Sequence, residues 1–367
     1  MDATLSYGLP RVNQSGTLLE GIVLWGELKP ELTQQALVER AMHYCDWAVA
    51  RRLLAIRPHV DVCDERLLAV EALLEVKRRV KPPYLDMQLV AFPQDGVLRS
   101  AGAFDNLKRA IGMGVDVVVG IPHFERTMAD GAALVKLLCE FAAEKSLHVD
   151  MHCDESDDPM SRHIETLAAE THRLGMQGRV TGSHLTSMHS MDNYYVGKLI
   201  SLMRDSGVAA IANPLINITL QGRSDTYPKR RGMTRMPELM AAGIDVAFGH
   251  DCVMDRPMVQ PRFRRHAGSR VHGSARRAND QRRCDARMLR MTTKPAKILG
   301  LEGYGIEVGC HADCVIFDAR DPIEAIRLRA VRTAVIRRGK VISRSPAVRA
   351  ALSLEGRPAE VNFRIER

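Results

Sequence analysis

Apolar positions from residue 53 to residue 253 fall into short runs, separated by longer stretches in which they recur at helical spacing. The runs LLAIRPHVDV (53–62), DMQLVAFPQ (86–94), DVVVGIPHFE (116–125), LHVDMHCDE (147–155), RVTGSHL (179–185), VAAIANPLI (208–216) and DVAFGHDCV (245–253) predict strands. Between them the pattern predicts helices over 64–80, 104–112, 128–145, 158–174, 191–206 and 233–242, with Asp64 as an acidic cap on the first. Another helix is expected over 31–49, ahead of the first strand. A strand and helix recurring about every 30 residues describe a parallel α/β sheet with helices on its outer face. No glycine-rich dinucleotide loop accompanies them. A closed barrel of this kind needs eight strands and seven are countable, so the expected fold is a distorted (β/α)8 TIM barrel missing its first strand.

Beyond residue 255 the periodicity stops. Residues 256–290 hold eleven arginines, no lysine and two acids, with no sustained helical or strand period. Two explanations fit, a basic insert without fixed structure or a stretch read out of frame, and the arginine-only bias favours the second. Pattern returns with TTKPAKILGL (292–301), and ADCVIFDA (312–319) and AVRTAVIRRGKVISR (330–344) read as strands of a small C-terminal β appendage, a partial β-sandwich. The expected division is a barrel over 1–300 and the appendage over 301–367.

Composition narrows the class. The chain has 367 residues, 46% of them hydrophobic and 26% charged, as in globular proteins. No apolar run approaches the ~18 residues of a membrane span. The amino terminus has neither a basic region nor an apolar core of a secretory leader, so a cytoplasmic location is expected. Eight cysteines without a CxxC pair read as reduced thiols. Cys310, His311 and Cys314 read as a turn entering a strand rather than a metal clip. Of the net charge of +8, the segment 256–290 supplies +9 and the remainder −1, so a nucleic-acid partner is unlikely and membrane contact is not expected.

Chemistry collects at the carboxyl ends of parallel strands. There the sequence places Gln94, His152, His184 and Asp251, with Glu155 just past His152. Imidazole and carboxylate suit a divalent metal, and a neighbouring glutamate can carry a proton. Each also has a plain reading as a strand-end or helix-capping residue. His59 is expected to support the barrel mouth, His123 and His250 to satisfy hydrogen bonds, and the run Tyr227 to Arg231 to form a solvated basic loop.

Taken together, HCDE, GSH, ANPL, LQGR, TYPKRRG and FGHD, in this order and spacing, resemble bacterial cytosine deaminases of the amidohydrolase superfamily. The resemblance runs from about Asn13 to Asp255 and from Pro295 to about Arg344. It implies that His152 and Asp251 ligate one divalent metal ion, Fe(II) or Zn(II). Glu155 would shuttle a proton to the pyrimidine ring, and His184, with Asp251, would orient the attacking water or its oxyanion. Gln94 would hydrogen-bond the nucleobase and Leu18 would line its pocket. Cys252 would face the substrate where the family often has a second Asp. Homo-oligomers are expected, as is common in the family.

Two departures stand out. The family's metal site begins with His-x-His at the end of its first strand, which by alignment falls just upstream of Met1, and this chain contains no His-x-His. Asp255-Arg256-Pro257 stands where the family usually has Asp-Pro-Trp, whose aromatic ring walls the pocket. The expected activity is hydrolysis of cytosine to uracil and ammonia. The alternatives are deamination of another N-heterocycle (isoguanine-, creatinine- or triazine-like) or a non-catalytic truncated relative. With two ligands missing, weak metal binding and slow or absent turnover are expected.

Overall fold

A computed structural model of the protein describes residues 1–254 and 291–361. The arginine tract at 256–290 lies outside the described residues.

Seven parallel strands form one sheet in chain order: β1 (His59–Asp61), β2 (Val90–Phe92), β3 (Val117–Val118), β4 (His148–Cys153), β5 (Val180–His184), β6 (Ala209–Ala212) and β7 (Val246–Phe248). Helices α1 (Leu18–Leu28) and α2 (Gln34–Ala50) precede the sheet. Outside it run α3 (Leu68–Arg79), α4 (Ala103–Met113), α5 (Met128–Glu144), α6 (His163–Arg173), α7 (Asn193–Ser206), α8 (Pro214–Leu220) and α9 (Met236–Ala241). This is the expected α/β architecture with a parallel sheet, in the form of a TIM-like barrel. The strands' outer faces pack on the helices: Val149, Met151 and Cys153 join Leu134, Leu138, Ile164 and Leu167 in one continuous apolar core. The inner face is mixed, with Val90, Val117 and Val119 forming a separate small cluster. Among the described residues the amino-terminal segment lies between β1 and the loop after β7. The amides of Leu5 and Tyr7 donate to Val253 O (3.0 Å) and Met254 O (2.9 Å), and Asp2 Oδ2 accepts the amide of Asp61 (2.8 Å).

Several elements are shorter than their apolar runs. The run 53–62 breaks at Arg57-Pro58, leaving Ala55–Ile56 paired with Asp86–Met87 separately from β1. Asp64 does not cap α3: it binds Arg66, and Leu67 in a left-handed turn is the N-cap. The run 208–216 ends as a strand at Ala212, because Pro214 opens α8. Residues 158–162 form a loop ahead of α6.

After α10 (Thr293–Ile298) comes the expected small sheet, with strands β8 (Cys314–Phe317), β9 (Arg332–Arg337) and β10 (Lys340–Arg344) antiparallel in that order and helix α11 (Pro322–Arg327) between β8 and β9. Arg338 and Gly339 at φ of 50° and 77° close the last hairpin, the backbone that two-residue hairpin turns demand. Buried Arg337 ties this sheet to the barrel through Asp86 and braces Asp313 just ahead of β8, each at 2.7 Å. No helix among the described residues is long and apolar enough to cross a membrane. The seven described cysteines are all free, and Cys310, His311 and Cys314 form no metal-competent cluster.

Candidate active site

Alternation along β4 decides which side chains reach the barrel interior. With Val149, Met151 and Cys153 turned to the helices, Asp150 and His152 point inward. Past Cys153 the chain turns sharply at Asp154, a non-glycine residue at φ of 53°. Its buried carboxylate accepts from Ser161 Oγ (2.8 Å) and the amides of His163 (3.1 Å) and Ile164 (2.8 Å), so it caps α6 and fixes the turn. Burial alone would raise the Asp154 pKa; the bonds from His163, Ile164 and Ser161 overcome that and lower it. The turn brings Glu155 back over the strand end.

His184 closes β5 and Asp251 lies three residues past β7, both at positive φ (72° and 66°). Such backbone costs about 1–3 kcal/mol at a non-glycine residue and concentrates at functional sites. Nδ1 of His184 lies 2.9 Å from Oε1 of Glu155, whose Oε2 is 3.7 Å from Nε2 of His152. The imidazole centroids of His152 and His184 are 4.1 Å apart. Ligand atoms of His152, His184 and Asp251 all lie within 4.8 Å of one another.

Two asparagines, Asn213 just ahead of α8 and Asn217 on its first turn, complete this arrangement. Asn217 Nδ2 donates to Glu155 Oε1 (2.8 Å) and lies 2.9 Å from His184 Nδ1, while Asn213 Nδ2 meets His184 Nε2 at 3.2 Å. A carboxylate only accepts, so the imidazole proton belongs on Nδ1, facing Glu155, and Asn213 meets the other nitrogen. Burial would lower the His184 pKa, but Glu155, and then Asp251, raise it overall. His152 goes the other way: burial, then the neighbouring His184, His59 and His123, drive its pKa well down and keep it neutral. The Asp251 carboxyl is raised, chiefly by desolvation, although the open cavity lets solvent reach it.

His152, Glu155, His184, Asn213 and Asp251 line one cavity of about 680 Å³, and every site residue expected from the sequence is there: Leu18, Gln94, His152, Glu155, His184, Asp251 and Cys252. Leu18 begins α1, Gln94 lies two residues past β2, and Cys252 Sγ is 3.3 Å from Asp251 Oδ2. His59 is stacked edge-on against Phe92 (5.1 Å), with its Nε2 buried and unpartnered. His123 does not satisfy the expected hydrogen bonds, since its Nδ1 is likewise buried without a partner. The basic run 227–231 is not wholly solvated: Arg230 pairs with Asp225 (2.6 Å) and bonds Asp157 O and Ser190 Oγ. Asn213, Asn217, Phe92, Trp25 and Asp61 also line or brace the cavity without having been singled out. Asparagine at i and i+4 straight after a strand, within ANPLIN, is the one pattern that pointed to the first two.

The donors fit a divalent metal. Nδ1 of His152 is a buried nitrogen with no partner, and Asp251 has a carboxylate oxygen within 4.8 Å of a ring nitrogen of the same residue. Both nitrogens of His184 already face hydrogen-bond partners.

A barrel that gathers imidazoles, a carboxylate pair and a metal-competent cluster at its carboxyl mouth is a hydrolase of the metal-dependent kind. The chain belongs to the amidohydrolase family, whose model matches residues 1–343. Its fold is similar to that of 5-methylcytosine deaminase from Klebsiella pneumoniae, solved with 5-fluorocytosine, at 39% identity and a TM-score of 0.89, covering 96% of this chain and 85% of that one. Pterin deaminase from Rhizobium rhizogenes is 29% identical over 304 residues, 81% of this chain and 68% of that protein. N-isopropylammelide isopropyl amidohydrolase from Pseudomonas sp. strain ADP is 27% identical over 326 residues, 86% and 75%.

Proposed function

We propose that this chain hydrolytically deaminates an aminopyrimidine, converting cytosine to uracil, or 5-methylcytosine to thymine, with release of ammonia. The observation that carries this reading is Glu155 set between His184 (2.9 Å) and His152 (3.7 Å) beside Asp251. In this reading His152 and Asp251 hold a divalent ion, Fe(II) or Zn(II), which when bound brings the pKa of water towards neutrality.

The remaining steps belong to the chain's own side chains. Glu155 takes one proton from the attacking water and gives it to the ring nitrogen as the oxygen bonds to C4; it then carries the proton of the new C4 hydroxyl to the amine, so that the C4–N bond breaks, ammonia leaves and a C4 carbonyl remains. His184, its Nδ1 proton directed to Glu155 and its pKa raised by that carboxylate, offsets developing negative charge in its cationic form. Asn217 fixes the Glu155 carboxylate, which keeps its second oxygen available. Gln94 hydrogen-bonds the base, Leu18 closes one side of the pocket, and Cys252 supplies a small thiol next to Asp251. Two further ligands are expected from a His-x-His pair; these 367 residues contain none, so they are expected to bind metal weakly and turn over slowly.

Kinship to a pterin deaminase and an ammelide hydrolase supports a second reading, a larger N-heterocycle, for which a 680 Å³ cavity has room. The deciding experiment measures metal content, binding, and ammonia release from cytosine, 5-methylcytosine, pterin and N-isopropylammelide. Metal-dependent release from the pyrimidines, lost in Glu155→Gln, is expected. Preference for pterin moves the assignment to the second reading. Failure of the metal-loaded protein to bind or convert any of the four leaves a non-catalytic relative.

A further inference from the structure

The contact between Glu155 and His184 joins two loops, and a second set of bonds joins the backbones that carry them. β4 and β5 pair in register to their last residues, Cys153 opposite His184. Past that point each chain turns through left-handed backbone, Asp154 at φ of 53° on one side, His184 and Leu185 at 72° and 52° on the other. The pairing continues beyond the strands. The amide of Leu185 donates to Cys153 O (3.0 Å) and that of Ser187 to Asp154 O (3.1 Å), while Ser187 Oγ donates to Ser161 O (2.8 Å). Between them Thr186 Oγ1 donates to Asp154 O and to Ser156 O, each at 3.1 Å. These are the carbonyls of the residues before and after Glu155. A hydroxyl has one proton, so the two bonds are one three-centre interaction. Asp154 O has a second donor in Ser187, whereas Thr186 is the one donor to Ser156 O among the described residues.

We propose that Thr186 is a positioning residue for the Glu155–His184 pair: its hydroxyl fixes the peptides on both sides of Glu155 to the loop that carries His184, and so holds carboxylate and imidazole within proton-transfer distance. The inference rests on the function proposed above and adds to it the part that sets the geometry of its proton carrier. Glu155 lies two residues beyond β4, where no ladder places it. Asp154 anchors the near side of the turn to α6 and Asn217 holds the carboxylate, which leaves the far peptide to Thr186. Thr186 is 2% exposed and does not line the cavity, so its effect passes through the residues it aligns.

Thr186→Val keeps the shape and removes the donor; Thr186→Ser keeps the donor and loses a methyl. The first readout is proton NMR with isotope-labelled histidine, in which the Nδ1 proton of His184 is identified by its loss in His184→Asn. That resonance is expected to vanish by exchange with solvent in Thr186→Val and to persist in Thr186→Ser. The second readout is ammonia release from cytosine by the metal-loaded protein. There kcat is expected to fall about 10–100-fold in Thr186→Val, as a small displacement of a catalytic group does, with KM and bound metal unchanged and most of the rate restored in Thr186→Ser. Far-UV dichroism reports that the fold survives, and Thr186→Ala repeats the test if the valine does not fold. Persistence of the resonance or of kcat without the hydroxyl overturns the inference while leaving the deaminase reading intact. Equal loss in Thr186→Ser also overturns it, because the methyl would then be the cause. If the unaltered chain converts none of the heterocycles, the functional reading fails, and the resonance alone decides whether Thr186 sets the contact.

Discussion

Oε1 of Glu155 and Nδ1 of His184 lie 2.9 Å apart, with both side chains almost wholly enclosed. The pair shares one proton-bearing contact in a desolvated setting, so each depends on the charge of the other. Glu155→Gln keeps the shape and removes the charge that raises the His184 pKa. Turnover is expected to fall about 10²–10⁴-fold, the usual worth of a positioned acid–base group, while bound metal stays level. Ammonia release and metal analysis on the same preparation check it; a tenfold loss or less removes Glu155 from the proton path.

Metal retention should sort the three clustered donors. His152 has a free buried nitrogen, whereas both nitrogens of His184 have partners. His152→Ala and Asp251→Ala are therefore expected to weaken metal binding by more than the ~10–100-fold typical of an outer-shell change. His184→Asn should leave metal content near that of the unaltered chain and abolish turnover. Equal metal loss in all three would make His184 a ligand.

Asn217 donates at 2.8 Å to the same Glu155 oxygen that faces His184. Asn217→Ala removes one of the donors that hold Glu155 in place, and kcat is expected to drop about tenfold with KM little changed. Steady-state kinetics decide this, and a change confined to KM would make Asn217 a substrate contact instead.

Much of this site was legible because periodicity two and the strand-end rule act locally. The alternation in HVDMHC sent His152 inward, and the ends of four runs carried Gln94, His152, His184 and Asp251 to one mouth. The roles came from the motif set, since no spacing separates ligand from proton carrier. Asn213 and Asn217 were hidden by a strand drawn too long: Pro214 turns the chain into α8, and only with that turn do the residue ahead of the helix and the one on its first turn meet at His184. Arg57-Pro58 interrupts the run 53–62 for an equally local reason, because proline removes a ladder donor. Thr186 depended on Asp154 and Ser156, partners 32 and 30 residues away that no local pattern marks.

Acid should loosen the fold through His59 and His123. Burial pushes both pKa values down from the ordinary 6.5 to about 4. Between those values the unfolded chain binds more protons than the folded one, so stability present above pH ~6.5 is lost as the pH falls towards 4. Each imidazole can contribute up to ~3 kcal/mol to that loss. Urea midpoints at pH 7.5 and 4.5 measure it, and His123→Gln should flatten the difference; an unchanged slope in that variant would mean that His123 is protonated without cost.

Below the histidines the barrel interior holds a charge pair where such barrels usually stack branched apolar side chains. Arg57 and Asp150, both nearly inaccessible, approach to 3.6 Å, and burial lowers the Arg57 pKa despite the carboxylate. Asp150 also accepts Ser183 Oγ at 2.6 Å, and Arg57 bonds Gln88 Oε1 (2.9 Å) and Ile298 O (3.1 Å). Gln88 in turn donates to Leu299 O, so the pair ties the barrel floor to the end of α10. Arg57→Met strands the Asp150 charge with one hydroxyl donor, and about 3–5 kcal/mol of stability is expected to go. Arg57→Met with Asp150→Leu removes both charges and should return most of it, since a buried ion pair roughly breaks even against apolar residues of like volume. Urea unfolding of the single and double variants separates the two terms. A double variant as unstable as the single one would mean that the links to Ile298 and Gln88, rather than the charge, hold this floor together.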